Sequence, residues 1–306
     1  MILCAGEALI DMLPRDTNDG SAALAPFAGG AVFNTSIALG RLGTPVGLFT
    51  GLSTDMFGKV LENALTNSHV DTRLAARSDR PTTLAFVELT DGHAKYAFYD
   101  ENTAGRMLVE ADLPTDLGDT AALFLGGISL AVTPCAEAYA ALCLREADQR
   151  TVMIDPNIRP GFIKDEAAYR ARLDKMIAVA DIIKLSDEDL VWLRGEGNID
   201  ELAQQLVAEG PKLVCITKGA EGVTGYTAGF ATHVPADRAE VVDTVGAGDT
   251  FNAGFLAALH QSGNLRKADV ARLDETAVRN ALGLGARVAA VTVSRAGANP
   301  PWAHEL

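Results

Sequence analysis

The stretch Asp243-Thr-Val-Gly-Ala-Gly-Asp249-Thr-Phe-Asn-Ala-Gly-Phe255 joins a glycine-rich turn to an amphipathic segment, with an acidic side chain at the junction. The spacing of its apolar residues predicts a helix with a buried face made by Phe251, Phe255, Leu256 and Leu259. The first backbone N–H groups of a helix have no partner within it, so those of Gly246, Ala247 and Gly248 are predicted to be open. An open helix N-terminus of this kind binds anions.

Asp249 lies at the point where an anion would bind. A carboxylate there repels a phosphate unless it has a chemical task, and removing the proton from an attacking hydroxyl is such a task. Asp249 is therefore a candidate general base. The alternative is that Asp249 only caps the helix, because Asp is a favoured N-cap residue. The stretch by itself leaves both interpretations open.

Composition narrows the class of protein. The chain has 306 residues, of which 48% are hydrophobic and 22% charged, as expected for a well-packed globular protein. Its 40 acidic and 26 basic residues give a formal charge of -14. Such a charge repels nucleic acid and anionic membrane surfaces, so neither is expected as a partner.

The cysteines indicate the compartment. Cys4, Cys135, Cys143 and Cys215 are scattered through apolar runs without C-x-x-C spacing, so a zinc site or a disulfide framework is not expected. Buried thiols in a reducing compartment are the simpler interpretation. No basic segment precedes the first apolar run and no stretch of about 18 apolar residues occurs, so the sequence predicts a soluble cytoplasmic protein.

Short apolar runs alternate with helical stretches along the chain. They are Ile2 to Ala5, Ala122 to Leu125, Thr151 to Ile154, Asp181 to Leu185 and Leu213 to Ile216. Continuous apolar runs are typical of strands buried on both faces, so the predicted fold class is α/β, doubly wound, with a mainly parallel sheet flanked by helices. Ligands of such sheets bind beyond the carboxyl ends of the strands.

Residues 81–99 break this rhythm. Thr82 to Leu89 and Ala94 to Tyr99 are strand-like, and Asp91-Gly92 between them is a hairpin-turn signal. The segment from Asp11 to Ala28 also departs from the βα pattern and is expected to pair with the hairpin. The two segments predict a small β-sheet lid over the cleft. A hairpin that only decorates the sheet edge is the alternative.

The predicted domain division follows from these two insertions. The large α/β domain takes residues 1–10, 34–78 and 106–306, and the lid takes residues 11–33 and 79–105. Apolar residues expected on the outer face of the lid, namely Leu84, Phe86, Tyr96 and Phe98, suggest a homodimer through the lid because an exposed apolar strand edge favours pairing.

A second motif lies near the N-terminus, where Asp11 is followed by Gly29-Gly30 and Asn34. A Gly-Gly pair permits close backbone approach to a ligand, and Asp11 and Asn34 offer an acceptor and a mixed donor and acceptor for sugar hydroxyls. Taken singly, Asp11 also suits a loop, and Asn34 also suits the cap of a helix over residues 35–42.

In combination the two motifs resemble those of the ribokinase-like carbohydrate kinases, also called the phosphofructokinase B family, over essentially the whole chain. The pattern is nearest to the bacterial fructokinases. The resemblance implies phosphoryl transfer from ATP to a sugar hydroxyl, with Asp249 as base and the amides of Gly246, Ala247 and Gly248 as an anion hole. The sugar ligands that it implies are Asp11, Gly29, Gly30 and Asn34, with Arg159 placed to meet phosphate or substrate.

The same resemblance assigns a nucleotide site. Thr217-Lys218-Gly219-Ala-Glu-Gly222 matches a turn that holds the nucleotide in the family. Where the family usually has Asn-x-x-Glu near magnesium, this chain has Ser186-Asp-Glu-Asp189. Because Ser and Asp still offer oxygen ligands, Mg²⁺ is expected with Ser186 in the nucleotide site and Asp189 contacting the metal through water. Asp243 resembles part of a monovalent-cation site of some relatives, and K⁺ is left open.

The main hypothesis for function is phosphorylation of D-fructose at O6 by MgATP. The alternatives with the same mechanism are 2-keto-3-deoxygluconate and ribose, and a keto acid would need an additional cation from Arg106, Arg159 or Lys164. An NAD-dependent dehydrogenase and a P-loop NTPase are disfavoured because their glycine motifs are missing. A non-catalytic sugar or nucleotide sensor on this scaffold stays open, because fold does not determine function.

Overall fold

The computed structural model describes residues 1–90 and 93–306, with the backbone alone for residues 87–90 and 93–96. The predicted turn at Asp91-Gly92 and the predicted outward side chain of Tyr96 lie outside the described part.

The strands alternate with helices over most of the chain. In chain order the strands are β1 (Ile2–Ala5), β2 (Leu9–Asp16), β3 (Ala22–Gly29), β4 (Val46–Phe49), β5 (Gly51–Ser53), β6 (Val70–Asp71), β7 (Ala76–Ser78), β8 (Leu84–Thr90), β9 (His93–Tyr99), β10 (Ala122–Gly126), β11 (Thr151–Asp155), β12 (Ile182–Ser186), β13 (Leu213–Thr217), β14 (Val223–Tyr226) and β15 (Ala231–Val234). The helices are α1 (Ala31–Arg41), α2 (Met56–Asn67), α3 (Cys135–Glu146), α4 (Glu166–Ile177), α5 (Asp187–Arg194), α6 (Ile199–Ala208), α7 (Ala247–Gln261), α8 (Lys267–Val270) and α9 (Glu275–Val293).

A large sheet of nine strands forms the centre, in the order β15-β14-β13-β12-β11-β10-β1-β4-β6. All neighbouring pairs from β13 to β6 are parallel, and β14 and β15 add two antiparallel strands at one edge. The five apolar runs found in the sequence all became parallel strands, which confirms the predicted fold class.

Helices cover both faces of this sheet. Alternate side chains of each strand enter opposite cores: Leu3 packs with the core under α3 to α6, and Cys4 packs with the core under α1, α7 and α9. Period-two alternation between two apolar layers is what a parallel sheet buried on both faces requires. None of the described helices is both long and apolar enough to cross a lipid bilayer.

A second, small sheet of four strands stands apart from the large one, in the order β3-β2-β8-β9. The segment from Asp11 to Ala28 pairs with the hairpin as expected, through the parallel pairing of β2 with β8 in which Ile10 lies opposite Leu84. The expectation about its outer face was partly wrong. Leu84 and Phe98 line the cleft, as does Tyr99, and among the described residues of the small sheet the exposed large apolar ones are Leu24, Phe27 and Tyr99.

Candidate active site

An open cleft of about 1350 Å³ lies between the carboxyl ends of the large-sheet strands and the small sheet. The structure brings most of the predicted site residues to its wall. These are Asp11, Gly30, Asn34, Arg159, Ser186, Asp189, Thr217, Gly246, Ala247, Gly248 and Asp249. Parallel strands end at one edge of a sheet, so residues that are far apart in the sequence meet there.

Asp249 lies in the first turn of α7 and faces the cleft. The helix begins after Gly246, which adopts φ 79°, and the predicted apolar face made by Phe251, Phe255, Leu256 and Leu259 is buried. The Asp249 carboxylate accepts hydrogen bonds from Asn34 Nδ2 at 2.9 Å and from Asn157 Nδ2 at 3.5 Å. These bonds come from other elements, and no described side chain caps α7, so the capping interpretation of Asp249 is wrong.

The environment of Asp249 suits a proton acceptor. The residue is only 7% exposed. The pKa of Asp249 is raised to about 7, chiefly by burial; the hydrogen bond from Asn34 opposes this rise, and the charge of Asp155 contributes to it. A base is most effective when its pKa lies near the working pH, so this carboxylate can accept a proton at neutral pH.

The amides at the start of α7 form the candidate anion site. Among the described groups, the N–H groups of Gly246 and Gly248 have no hydrogen-bond partner, whereas that of Ala247 donates to Thr244 O at 3.3 Å. The prediction of three open amides is therefore corrected to two, since the tight turn before α7 uses the third. A Cβ at residue 246 would lie 2.6 Å from Ala298 Cβ, so only glycine fits this turn without a shift.

The N-terminal motif places Asn34 against Asp249. Helix α1 begins at Ala31 after Gly30, which adopts φ 109°, so Asn34 lies in the first turn and the interpretation of Asn34 as a helix cap is wrong. Glu7 holds this helix end, because its carboxylate accepts from Ala31 N at 2.9 Å and from Ser129 N at 3.3 Å. Burial raises the pKa of Glu7 above its usual range.

Asp11 faces the cleft from the small sheet, and burial raises the pKa of Asp11 to about 6. Gly29 lies behind Asp11 rather than on the cleft wall. A Cβ at residue 29 would lie 2.2 Å from Asp11 Oδ2, so glycine at this position leaves room for the carboxylate.

A buried ion pair lies beneath Asp249. Lys184 Nζ donates to Asp155 Oδ2 at 3.0 Å, and Asn252 Nδ2 donates to the same oxygen at 2.7 Å. Burial alone would lower the pKa of Lys184, but the carboxylates of Asp155, Asp189 and Asp249 raise it above its usual value, so the side chain is a cation.

The basic residues near the cleft differ in whether their charge is free to meet a ligand. Arg159 and Lys164 line it with exposed side chains. Arg106 does not line the cleft, because its guanidinium pairs with Asp100 at 2.9 Å and donates to Thr133 O. Of the three cations considered for a keto acid, Arg106 is therefore already paired.

The predicted nucleotide residues divide into two groups. Thr217 lines the cleft at the end of β13. Lys218, Gly219 and Gly222 form the turn from β13 to β14, in which Lys218 N donates to Gly222 O at 2.8 Å, and they do not line the cleft. Gly222 adopts φ 106° and a Cβ there would lie 2.2 Å from Val234 O, so this glycine shapes the turn.

Ser186 and Asp189 cap helix α5 reciprocally. Ser186 Oγ accepts from Asp189 N at 3.0 Å, and the Asp189 carboxylate accepts from Ser186 N at 3.4 Å and from Ile158 N at 3.1 Å. Burial raises the pKa of Asp189, and the nearby charge of Asp155 adds to the rise. Because both carboxylate oxygens of Asp189 already accept backbone hydrogen bonds, contact with a metal through water suits this residue better than direct ligation.

The Asp243 carboxylate also accepts two backbone hydrogen bonds, from Val245 N at 3.0 Å and from Gly297 N at 2.9 Å. No cluster of three or more His, Cys, Asp or Glu side chains suited to a metal ion occurs among residues 1–90 and 93–306. A metal bound mainly through nucleotide phosphates needs only one or two protein carboxylates, so this arrangement is compatible with Mg²⁺.

Sequence reasoning assigned no role to Glu7, Lys184 or Asn252. The signal for Lys184 was a charged residue within the apolar run Ile182-Ile-Lys-Leu185, because a buried charge is costly unless it is paired. Glu7 carried a weaker signal, as an acid directly after the first strand.

Comparison with known proteins places the chain in context. The family described as pfkB family carbohydrate kinase matches residues 1–305. The chain is 57% identical over 281 residues to a fructokinase of Rhizobium leguminosarum bv. trifolii, covering 92% of this chain and 86% of that protein.

Solved structures agree with this relationship. The fructokinase of Xylella fastidiosa with bound ATP superposes with a TM-score of 0.88 at 32% identity, covering 97% of this chain and 93% of that one. The fructokinase of Vibrio cholerae O395 with fructose, ADP and calcium ion bound has a TM-score of 0.83 at 25% identity, covering 97% and 94%.

Proposed function

The chain belongs to the pfkB family of carbohydrate kinases and is an ATP-dependent fructokinase, and we propose that it transfers the terminal phosphoryl group of ATP to O6 of D-fructose with Asp249 as the general base. The observation that supports this mechanism best is the position of Asp249. It is a buried carboxylate with a pKa of about 7, in the first turn of a helix whose N-terminal amides face the same cleft.

In the proposed mechanism the chain orients the acceptor and stabilises charge. The hydroxyl of fructose lies against the Asp249 carboxylate, which Asn34 and Asn157 hold in place through their side-chain amides. As the hydroxyl attacks, Asp249 takes its proton. The amides of Gly246 and Gly248 stabilise the charge on the phosphoryl group in transfer. Most of the rate enhancement comes from this positioning and from these fixed dipoles.

The enzyme uses ATP together with a metal ion, as the ligands of its relatives support. We assign Mg²⁺ to this role, where it would neutralise the phosphates of ATP while Asp189 contacts it through water. The nucleotide is assigned to the side of the cleft near Ser186, Thr217 and the following turn to Gly222. Asp243 is kept as the candidate contact for K⁺.

The charges of the cleft favour a neutral sugar over a sugar acid. Asp11, Asp100 and Glu101 line the side formed by the small sheet, and the Arg106 guanidinium is engaged with Asp100. A carboxylate in this region would face acidic side chains, and among the described residues the exposed cations that line the cleft are Arg159 and Lys164. We therefore expect 2-keto-3-deoxygluconate to be a poorer substrate than fructose.

We also propose a cytoplasmic enzyme that forms a homodimer through the small sheet. The four cysteines are buried and unpaired, as in a reducing compartment. Leu24 and Phe27 on β3 are 45% and 43% exposed, and a second copy would cover them. Light scattering tests this assembly: a monomer at micromolar concentration, or a dimer unaffected by Phe27→Lys, contradicts it.

Substrate choice is tested by ADP release with fructose, ribose, glucose and 2-keto-3-deoxygluconate. Fructose is expected to give the highest kcat/KM, and NMR of the product is expected to show phosphate on O6. Turnover of another sugar without turnover of fructose would overturn the assignment. Binding of fructose and ATP without any turnover would instead favour the sensor.

The role of Asp249 is tested by Asp249→Asn, with Asp148→Asn as the control because Asp148 is an exposed acid on another part of the chain. Removal of a general base is expected to lower kcat by about 10²-fold to 10⁴-fold. The KM for fructose and the Kd for ATP should change little, because Asn keeps an oxygen acceptor for Asn34. Unchanged kcat in Asp249→Asn would reject the mechanism.

A further inference from the structure

Lys184 is a charged side chain in the middle of the large sheet. It lies on β12, and the side chains of Lys184 and Asp155 are only 6% and 2% exposed. Removing such a pair from water is costly, and the attraction between the two charges does not reliably exceed this cost. An apolar pair could stabilise a sheet as well, so the need for stability does not explain this ion pair.

The ammonium of Lys184 points toward the start of α7. Its Nζ atom lies 3.1 Å from the position that a Cβ would take at residue 248, and Lys184 lines the cleft. Glycine at 248 therefore leaves room for the ammonium beside the open amides. An ammonium has three N–H donors, and the described hydrogen bonds of Lys184 use one of them, to Asp155.

The charges around the ammonium allow it to act on an anion once Asp249 is protonated. The N-terminus of a helix carries a partial positive charge, so a cation beside it is unfavourable unless negative charge is close. Asp155 supplies one negative charge and Asp249 supplies another nearby. When Asp249 takes a proton during the reaction, its negative charge is lost, and the positive charge of Lys184 and of the helix is left to act on the phosphoryl group.

From this geometry we propose that Lys184 is a further catalytic residue, whose ammonium contacts the phosphoryl group in transfer beside the amides of Gly246 and Gly248. The inference rests on the proposed function. In that reaction the fructose oxygen forms a bond to the terminal phosphorus as the bond from that phosphorus to the bridging oxygen of ADP breaks. The hydroxyl proton goes to Asp249. Lys184 keeps its own protons and is unchanged at the end.

Replacement of Lys184 by Met removes the charge at nearly constant volume. We expect kcat to fall by about 10²-fold to 10³-fold, as for the loss of one donor to a developing anion. The KM for fructose and the Kd for ADP should stay within a few-fold, because neither contacts the ammonium in the proposed geometry. Binding of ADP with aluminium fluoride and fructose, which mimics the reacting phosphoryl group, should weaken by a similar factor to kcat.

Lys267→Met is the matched control. Lys267 also pairs with a buried acid, Asp181, at 2.7 Å, but Asp181 precedes β12 at the opposite end of the strand from the cleft. This variant should lower Tm and leave the ratio of mimic binding to ADP binding unchanged. A wild-type protein that does not phosphorylate fructose refutes the proposed function, whereas an active wild-type protein with undiminished kcat in Lys184→Met refutes this inference.

A double variant separates catalysis from pairing. Lys184→Met leaves Asp155 buried without its cation, which could impair folding, but Lys184→Met with Asp155→Asn removes both charges. If Lys184 only neutralises Asp155, the double variant regains wild-type kcat, and the proposal is wrong. A kcat that stays about 10²-fold low in a folded double variant supports it.

A measurement on the wild-type protein decides the matter even if both variants fail to fold. The ¹⁵Nζ resonance of Lys184 should move on addition of ADP, Mg²⁺, aluminium fluoride and fructose, and much less with ADP and Mg²⁺ alone. An unmoved resonance in the complete mixture overturns the proposal.

Discussion

Asp249→Asn is expected to raise the free energy of unfolding of the unliganded protein, although it removes the base. This gain in stability over the wild type should increase with pH. Asp249 is only 7% exposed and its carboxylate is close to the charge of Asp155, so the ionised form is disfavoured in the folded state. Asn has nearly the same shape and can still accept the hydrogen bond from Asn34. The substitution therefore removes a buried charge without leaving a cavity.

The magnitude follows from the displacement of the pKa of Asp249 from 3.8 to about 7, which burial causes first and Asp155 second. Because the folded-state pKa is the higher one, the unfolded chain releases its proton first, and stability is lost as the pH rises from about 4 through about 7. At ~1.36 kcal/mol per pH unit, the cost is ~1.5 kcal/mol at about pH 5 and ~4 kcal/mol at about pH 8. The advantage of the Asp249→Asn variant should therefore grow by ~2.5 kcal/mol over this range.

Equilibrium unfolding in urea at several pH values between these limits, without ligands, measures the difference between the two proteins. Asp148→Asn serves as the reference for an exposed acid and should show only a few tenths of a kcal/mol at every pH, as is usual for surface substitutions. A difference between Asp249→Asn and wild type that stays constant with pH would refute the reasoning, because the charge of Asp249 would then be no costlier in the folded state than in the unfolded chain.

Three further predictions concern catalysis. Asp249 must be ionised to accept a proton, and its pKa is about 7, so log kcat/KM should fall with a slope of one as the pH drops below about 7. A pH profile that stays flat down to about pH 5.5 would contradict this. Gly248→Ala should lower kcat roughly 10-fold to 10²-fold, because its Cβ would lie 3.1 Å from Lys184 Nζ and displace the ammonium. Gly229→Ala, whose Cβ meets nothing within 4 Å, is the control in steady-state kinetics, and an equal loss of kcat in both variants would contradict this explanation. Gly29→Ala should raise the KM for fructose more than it lowers kcat, because its Cβ would lie 2.2 Å from Asp11 Oδ2, and an unchanged KM would remove Asp11 from the sugar site.

The sequence carried enough information for the central strands. Runs such as Ile2–Ala5 and Leu213–Thr217 are apolar on both faces, and only a sheet covered on both sides satisfies them. The sequence carried less information about the strands at the two edges of the large sheet. Val70–Asp71 is too short to give a periodic signal, and the antiparallel strand Ala231–Val234 mixes buried and exposed positions.

The site shows the same division. Local sequence alone determined that a glycine turn leads into α7 with Asp249 in its first turn, because turn geometry and helical periodicity are properties of neighbouring residues. Only the tertiary structure decided that Asn34, 215 residues away, would hold the Asp249 carboxylate, and that the ammonium of Lys184 would lie beside Gly248. Such contacts depend on how strands and helices pack across the whole chain, and the pKa of Asp249 follows from the same packing because burial sets it.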